Sequence, residues 1–582
     1  LFPYTTLFRS NVEGARQEMN MGAVLTWTNT ASYEIKIDEH KVSGLVGTEL
    51  VDNMTNEVLG GSRNGSKYSD LSKYPYLDRT KPATSISDMS LWGADWSAGG
   101  GGLMSYMARL TYNFKEKYMV DFTFRADGSS NFAKGNRWGY FPSISAGWNF
   151  SEESFMQPTS TWLTYGKLRA SWGQNGNQSI PNFVYTSNIA YNNQGYFFGP
   201  NKEIPDVAAV PANVPNPDVK WETSEQLNIG LDAKFLNSRL GLTFDYYVKT
   251  TKDWLVRAPI LGTYGAGAPY INGGDVENKG FEIAVTWEDS FNDFKYGVTA
   301  SGAYNKNKVT RLANAEGVIL GASDILSQGT SYVSRVEVGH PIGYFYGYKT
   351  AGIFQNQQEV DAYVDKDGKP IVIGSESGIA RKPGDVRFVD QNGDGVIDEK
   401  DKVMLGKPSP DFELGLQLNA EYKGFYLNTT LTGKLGLQVM QSYRSFADIL
   451  TQNYTTQIFN RWHGEGTSNK LPRLTYTSNA NTNLISDIYM HDADYVRVSN
   501  LTFGYHFDKL LKKSKIIKRA SVYVAVNNLY TFTKYDGMDP ERGWMGNDTQ
   551  ENGQYVYGWA SGIDLGLFPL PRTVMFGINI TL

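Results

Sequence analysis

This sequence predicts an all-β fold, an antiparallel transmembrane β-barrel, and three observations carry the prediction. The last ten residues, Thr573 to Leu582, alternate without a break. Val574, Phe576, Ile578, Ile580 and Leu582 fall on one face, and Thr573, Met575, Gly577, Asn579 and Thr581 on the other. Successive strand side chains point to opposite faces, so such a segment is apolar on one side and small or polar on the other. The pattern recurs, by the alternation test, in on the order of 14–16 segments between Met21 and Leu582. Each is near the roughly 9–11 residues that a tilted membrane-spanning strand needs. The connections, finally, are of two kinds. Asn113 to Lys117 and Leu236 to Arg239 are tight, whereas Asp52 to Gly102, Gly173 to Lys220, Leu312 to Pro341 and Asp536 to Leu570 are long. Short turns at one end and long loops at the other suit a barrel with lipid outside and water or a plug inside.

Taken in order, the chain opens on Leu1 to Ser10, LFPYTTLFRS. This stretch matches the conceptual translation of a common sequencing adapter, so residues 1–10 are expected to be an artefact and native sequence to begin near Asn11. It has no charged segment followed by an apolar one, as a signal peptide would. Strand signals follow at Val120-Phe122-Phe124 and Leu168-Ala170-Trp172. Leu227, Ile229, Leu231, Ala233 and Phe235, then Leu240, Leu242, Phe244, Tyr246 and Val248, flank a polar turn and predict a hairpin. Further runs lie at Phe281-Ile283-Val285-Trp287, Phe425-Leu427-Thr429-Leu431 and Val522-Val524-Val526. Gly99 to Gly102 lacks the Lys and Ser/Thr of a phosphate-binding loop and reads as a flexible connection.

Between Gly352 and Gly406 the alternation stops and charge rises, which marks an insertion at 352–406. Gln355 to Tyr363 is expected to form a short helix. Beyond it, Asp390, Asn392 and Asp394 occupy positions 1, 3 and 5 of an EF-hand-like loop. Gly395 takes the sharp-turn position, and the Val396 carbonyl, Asp398 and Asp401 take positions 7, 9 and 12. Alternate oxygens there can converge on a hard cation, so a structural Ca²⁺ site is expected. The bidentate Glu at position 12 is replaced by the shorter Asp401, and without metal the segment is an acidic turn.

Composition narrows the function. The net charge is -5 and no basic stretch interleaves with aromatics, so no nucleic-acid partner is expected. Lys512 to Lys518 is a short basic run between strand patterns, expected to be a solvated turn. There is no Cys, hence no disulfide framework or thiolate chemistry. No run of 18 apolar residues exists, which excludes a transmembrane helix but not a barrel. The five histidines, His40, His340, His463, His491 and His506, show no zinc-pair spacing and no nucleophile constellation, so the chain is not expected to be an enzyme.

Several ordered stretches resemble the SusC/RagA-type TonB-dependent outer-membrane transporters of Bacteroidetes. They are FRADGSS (124–130), RWGYFPS (137–143), LRASWGQNG (168–176), NPDVKWE (216–222), NKGFE (278–282), GDVRFVDQNGDG (384–395), DYVRVSNL (494–501) and LPRT (570–573). The resemblance covers Met21 to Leu582 and matches the C-terminal half or so of such a transporter. Leu582 departs from the aromatic residue often found at the end of barrel proteins.

What the resemblance implies goes further than periodicity. It implies the plugged, 22-stranded class of barrel, present here as an incomplete barrel without plug, with two raw sheet edges. It implies import of oligosaccharides or peptides, a SusD-like surface lipoprotein over the barrel, and energy from TonB through an N-terminal part that this sequence lacks. Recognition is expected to fall to exposed loop aromatics, with Tyr191, Tyr196, Phe197 and Phe198 one cluster and Trp92 and Trp96 another. Each of these residues can equally belong to an aromatic girdle. The rival readings are a passive porin or adhesin barrel, and a soluble secreted glycan-binding β-protein.

Overall fold

Alternation sorts each strand into an apolar and a polar face, and hydrogen bonding then joins the strands in chain order into one 15-stranded antiparallel sheet. The structure, a computed structural model, describes the whole chain except residues 1–13, 22, 54–56, 65–88, 95–100, 188, 193–196, 199–203, 206–207, 258–264, 315, 322–331, 377, 442–455, 476–479, 512–515, 542, 544–548, 552–553 and 557. The sheet strands are β1 (Val24–Ile37), β2 (His40–Asn53), β3 (Gly102–Phe114), β4 (Tyr118–Ser129) and β5 (Trp138–Trp148). Then come β6 (Leu163–Asn177), β7 (Glu222–Phe235), β8 (Leu240–Lys252), β9 (Gly274–Phe291) and β10 (Phe294–Leu312). The last five are β11 (Phe412–Tyr422), β12 (Phe425–Leu435), β13 (Tyr495–His506), β14 (Arg519–Thr533) and β15 (Thr573–Thr581). Every neighbour in space is the neighbour in sequence, so the sheet is an up-and-down meander. Among the described residues β1 and β15 each pair on one side only, which leaves the sheet open as expected of an incomplete barrel.

The turns explain which end is which. Residues Asp38, Lys115, Glu116, Leu236, Asn237, Ser238, Asn292 and Lys423 all have positive φ, and all sit in the tight turns at one end. Lys423 and Gly424 are both left-handed (φ 49° and 97°), as a two-residue hairpin turn of matching twist requires. The opposite end carries 54–101, 178–221, 253–273, 313–411, 436–494 and 534–572. Long loops face the cell exterior in outer-membrane barrels, so this end is the outer one. The connection after β10 extends to Asp411, well past the boundary at Pro341 that the sequence suggested.

Register carries the apolar face from strand to strand. Leu110, Phe122, Ile144, Trp172, Leu227 and Val248 are successive cross-strand partners from β3 to β8. A second row links Leu427, Phe503, Val524 and Phe576 from β12 to β15. Most of these side chains are solvent-exposed in the isolated chain, Phe576 to 81%, with Trp172 and Val248 half-buried, although they are the greasiest on their strands. A soluble sheet would bury that face, whereas a membrane sheet gives it to lipid. Rings flank the belt. At the tight-turn end, Trp162 stacks on Phe235 (6.0 Å), Phe294 meets Tyr422 (6.4 Å) and Phe425 meets Tyr505 (4.7 Å).

The buried hydrophobic core lies mainly in the long loops and not under the sheet. Val333, Phe345, Met440, Ile485, Tyr489 and Ile563 form one cluster, and Tyr348, Ile353, Ile373, Val386, Phe388, Ile397 and Ala480 another. The 352–406 insertion is therefore a packed part of an outer body. Its predicted helix is present, shorter, as Gln357–Asp361, with the Asn356 side chain accepting from the Glu359 amide as N-cap.

Candidate functional site

The polar face of the sheet carries charged side chains that form ladders across strands. Arg125 on β4 reaches Asp127 (2.7 Å), Ser105 on β3 (2.9 Å) and Glu49 on β2 (3.1 Å). Arg169 on β6 donates to Asp232 on β7 (2.7 Å) and Asp245 on β8 (3.0 Å). From β8 to β11 the ladder is acidic, before Lys434 on β12, the register partner of Glu413. Asp245 is the register partner of Glu282 on β9, and Ala303 on β10 separates Glu282 from Glu413 on β11. These carboxylates, with Thr243 and Ser301, line a cavity of about 410 Å³. The small side chains of Ala303 and Gly415 leave the space open. Glu282 and Glu413 make no ion pair among the described residues. Such a surface accepts hydrogen bonds from hydroxyl or ammonium groups.

Several of the family-like sequence stretches hold the outer loops together or tie them to the wall. Trp221 donates its indole N–H to the Arg137 carbonyl (2.8 Å), and its ring packs on Phe132 and Phe141, both at 5.4 Å. That joins the 137–143 and 216–222 stretches, with Phe132 between them, in one cluster. Asp385, 2% exposed, accepts from Arg473 (2.7 Å), Asn481 (2.8 Å) and the Lys382 amide (2.9 Å). Arg497, 3% exposed, reaches Asp539 (2.9 Å) and Glu541 (2.6 Å), and Asp539 also accepts from the Leu570 amide (3.1 Å). Burial desolvates the Asp539 carboxylate, but the amides of Glu541 and Leu570 and the Arg497 charge outweigh that and hold its pKa below the usual range. Tyr344, 1% exposed, is pushed well above the usual phenol pKa by burial and by the Glu337 carboxylate that accepts its hydroxyl.

The aromatic candidates fall partly outside this picture. Trp92 lies in the strand Met89–Ala94, Tyr191 in Ile189–Asn192, and Phe197 and Phe198 form a strand of their own. Trp96 and Tyr196 lie outside the described residues, as does Lys512–Lys515 of the basic run. The wall ladders were missed, although charges alternating with apolar residues, as in Leu168-Arg169 and Leu231-Asp232, could have signalled them. The histidines are dispersed. His40 bonds Tyr112, His340 stacks on Tyr344, His463 meets the Arg461 carbonyl, His491 meets Asp536 and His506 stacks on Tyr426.

The 390–401 loop is closed by its own hydrogen bonds. Asp390 accepts from the amides of Gly393 (2.6 Å) and Gly395 (2.8 Å), Asn392 from that of Asp394 (2.9 Å) and Asp394 from that of Val396 (3.0 Å). Asp401, 0% exposed, accepts from Gln391 (2.8 Å) and Asp398 (2.8 Å). Asp398 and Asp401 also complete a capping box at the 3₁₀ turn Glu399–Asp401. Among the described residues no three acidic or imidazole side chains gather as a metal would need. The first half of the loop has the turn of a calcium loop, while Asp401 is committed to amides.

Comparison with known proteins supplies the family. The family model described as "TonB dependent receptor-like, beta-barrel" matches residues 4–366. The chain belongs to the TonB-dependent receptor β-barrel family. TonB-dependent receptor P3 of Formosa agariphila is 31% identical over 483 residues, covering 82% of this chain and 45% of the relative. TonB-dependent receptor SusC of Bacteroides thetaiotaomicron is 31% identical over 488 residues, covering 82% and 43%. The chain thus spans about half the length of the curated relatives it matches. The solved RagAB peptide transporter shares the fold, with a TM-score of 0.76 at 24% identity over 99% of this chain and 57% of that one. The SusC/RagA resemblance stands, and with it the outer membrane as the location of this TonB-dependent receptor wall.

Proposed function

We propose that this TonB-dependent receptor chain is the wall and outer loop body of an energised importer of oligosaccharides or peptides. A SusD-like surface lipoprotein would deliver the substrate, and TonB would act through the rest of the protein. The observation that carries the reading is the pairing of a lipid-facing apolar belt with an inner face of charge ladders beneath a packed outer body. An adhesin needs no open acidic cavity on the inner face, and a passive pore needs no folded body over its mouth. The structural neighbour's name, a peptide transporter, supports the peptide class, and the oligosaccharide class rests on the SusC/RagA resemblance.

Deletion of the gene in its host, with uptake of fluorescent oligosaccharides and peptides measured with and without a protonophore, tests it. One class should lose uptake in the deletion strain and on de-energising the wild type. Uptake that persists with the protonophore would establish a passive porin instead.

The loop at 390–401 is proposed as a structural calcium site in which Asp390, Asn392, Asp394, the Val396 carbonyl and Asp398 would supply oxygen ligands. Asp401 would have to exchange amide bonds for metal, which predicts weak, millimolar-range binding of the kind seen for extracellular modules, about 10⁻⁴–10⁻³ M. Calorimetric titration with Ca²⁺ should show that affinity and lose it in Asp390→Ala. Heat no different from that of the variant would remove the proposal.

A further inference from the structure

The outward row that is apolar from β3 to β8 becomes basic at β9 and β10. Val248 is followed in register by Lys279 and then Lys306, and one step outward Glu277 faces Lys308. Immediately on the membrane side lies an aromatic row, Tyr246, Phe281, Tyr304 and Phe412. Its rings touch, with centroids 5.6 Å apart for Phe281–Tyr304 and 5.0 Å for Tyr304–Phe412. Aromatic rows mark the edge of the hydrocarbon layer, so the lysines stand at headgroup height on the outer side.

The local charges do not cancel. Glu277 is paired with Lys279 (2.8 Å), and Asp411 with Lys407. Lys306 and Lys308 are exposed and make no ion pair among the described residues. They are two residues apart on one face, hence about 7 Å between stems, and long enough to converge on one group. Together with Lys407, Met404 and Pro341 they line a recess of about 250 Å³ between β10 and the segment leading into β11. A surface with two unmatched ammonium groups, a partly sheltered recess and an aromatic floor at the lipid boundary fits an amphiphile with an anionic head.

We infer that Lys306 and Lys308 form a binding site for the phosphorylated headgroup of an outer-leaflet glycolipid. Ammonium groups form charge-assisted hydrogen bonds with phosphate oxygens, while the aromatic row contacts the first carbons of the acyl chains. The inference rests on the outer-membrane location and does not depend on what the protein imports.

The full chain in dodecyl maltoside micelles, titrated with phosphorylated lipid A and followed by calorimetry, tests it. Lys306→Glu with Lys308→Glu should weaken binding about 10–30-fold, the scale expected of two ammonium groups at a charged lipid surface. The Lys306→Arg/Lys308→Arg variant should bind as the parent does, and 0.5 M salt should weaken both. If charge reversal disturbs folding, Lys306→Gln/Lys308→Gln serves in its place. Equal binding by the charge-reversed or neutral pair would overturn the site. So would equal binding of dephosphorylated lipid A, which would leave only apolar contact. Tight binding of inorganic phosphate alone would overturn it too, showing a free-anion recess with no lipid role.

Discussion

Arg497→Leu is expected to free the 534–572 loop from the wall and to cost about 3–5 kcal/mol, because it strands a buried carboxylate. Arg497 and Asp539 are 3% and 5% exposed, so water cannot replace the lost partner. The guanidinium also bonds Thr531 (2.9 Å) on β14, and Asp539 holds the Leu570 amide just ahead of β15. One side chain thus ties β13, β14 and the approach to the last strand. Thermal unfolding in detergent should show a lower midpoint, and protease should cut first within 536–570. Unchanged melting and protection would mean the contacts contribute nothing.

A pH test isolates the Asp539 carboxylate. Its folded pKa is depressed, so its contribution is complete above the unfolded value of about 3.9 and is lost as pH falls through the folded one. Acid below about pH 4 should therefore loosen this loop in the parent. The Leu variant, already without the arginine, should show a smaller acid-dependent loss over the same window.

Much of the wall was legible because its two solvents write opposite demands on alternate residues. The hairpin predicted from Leu227–Phe235 and Leu240–Val248 has the expected register, with Phe235 opposite Leu240 and Leu227 opposite Val248. The tight turns were legible too, since few residues separate strong strand patterns. The outer body was not. Its strands are short, such as Val386–Phe388 and Val396–Ile397, and they pair with distant segments, so no local period announces them. Its core is assembled from residues far apart in sequence, as when Phe345, Met440 and Ile563 meet in one cluster. Individual side-chain roles were least legible. Aromatics chosen for their exposure in loops were plausible contacts, yet Trp221 and Tyr344, equally aromatic and in equally irregular surroundings, are buried struts. Sequence gives the residue type, and only the fold decides whether a ring faces water or fills a gap.

Trp221→Ala should show how far such a strut matters, with an expected loss of about 3–5 kcal/mol for emptying a large buried site. Trp221 is 8% exposed and Phe132 0%, so the neighbouring rings have little solvent to relax into. Trp221→Phe should cost less, about 0.5–1.5 kcal/mol, because the Arg137 carbonyl loses the indole donor but keeps the Ser129 amide (3.0 Å). The order of the two variants separates packing from hydrogen bonding. The site joins the β4–β5 connection to the strand entry at Glu222, and Asn136 adds a bond to the Pro217 carbonyl (3.1 Å). The cluster therefore sets where the 178–221 loop leaves the barrel rim. Strands β4 and β7 keep their own ladders without it, so the sheet should survive while the loop loses its base. Protease cleavage within 178–221 should then rise in Trp221→Ala at temperatures where amide exchange of β4 and β7 is unchanged. Simultaneous loss of loop and strand protection would show instead that rim and wall unfold as one unit.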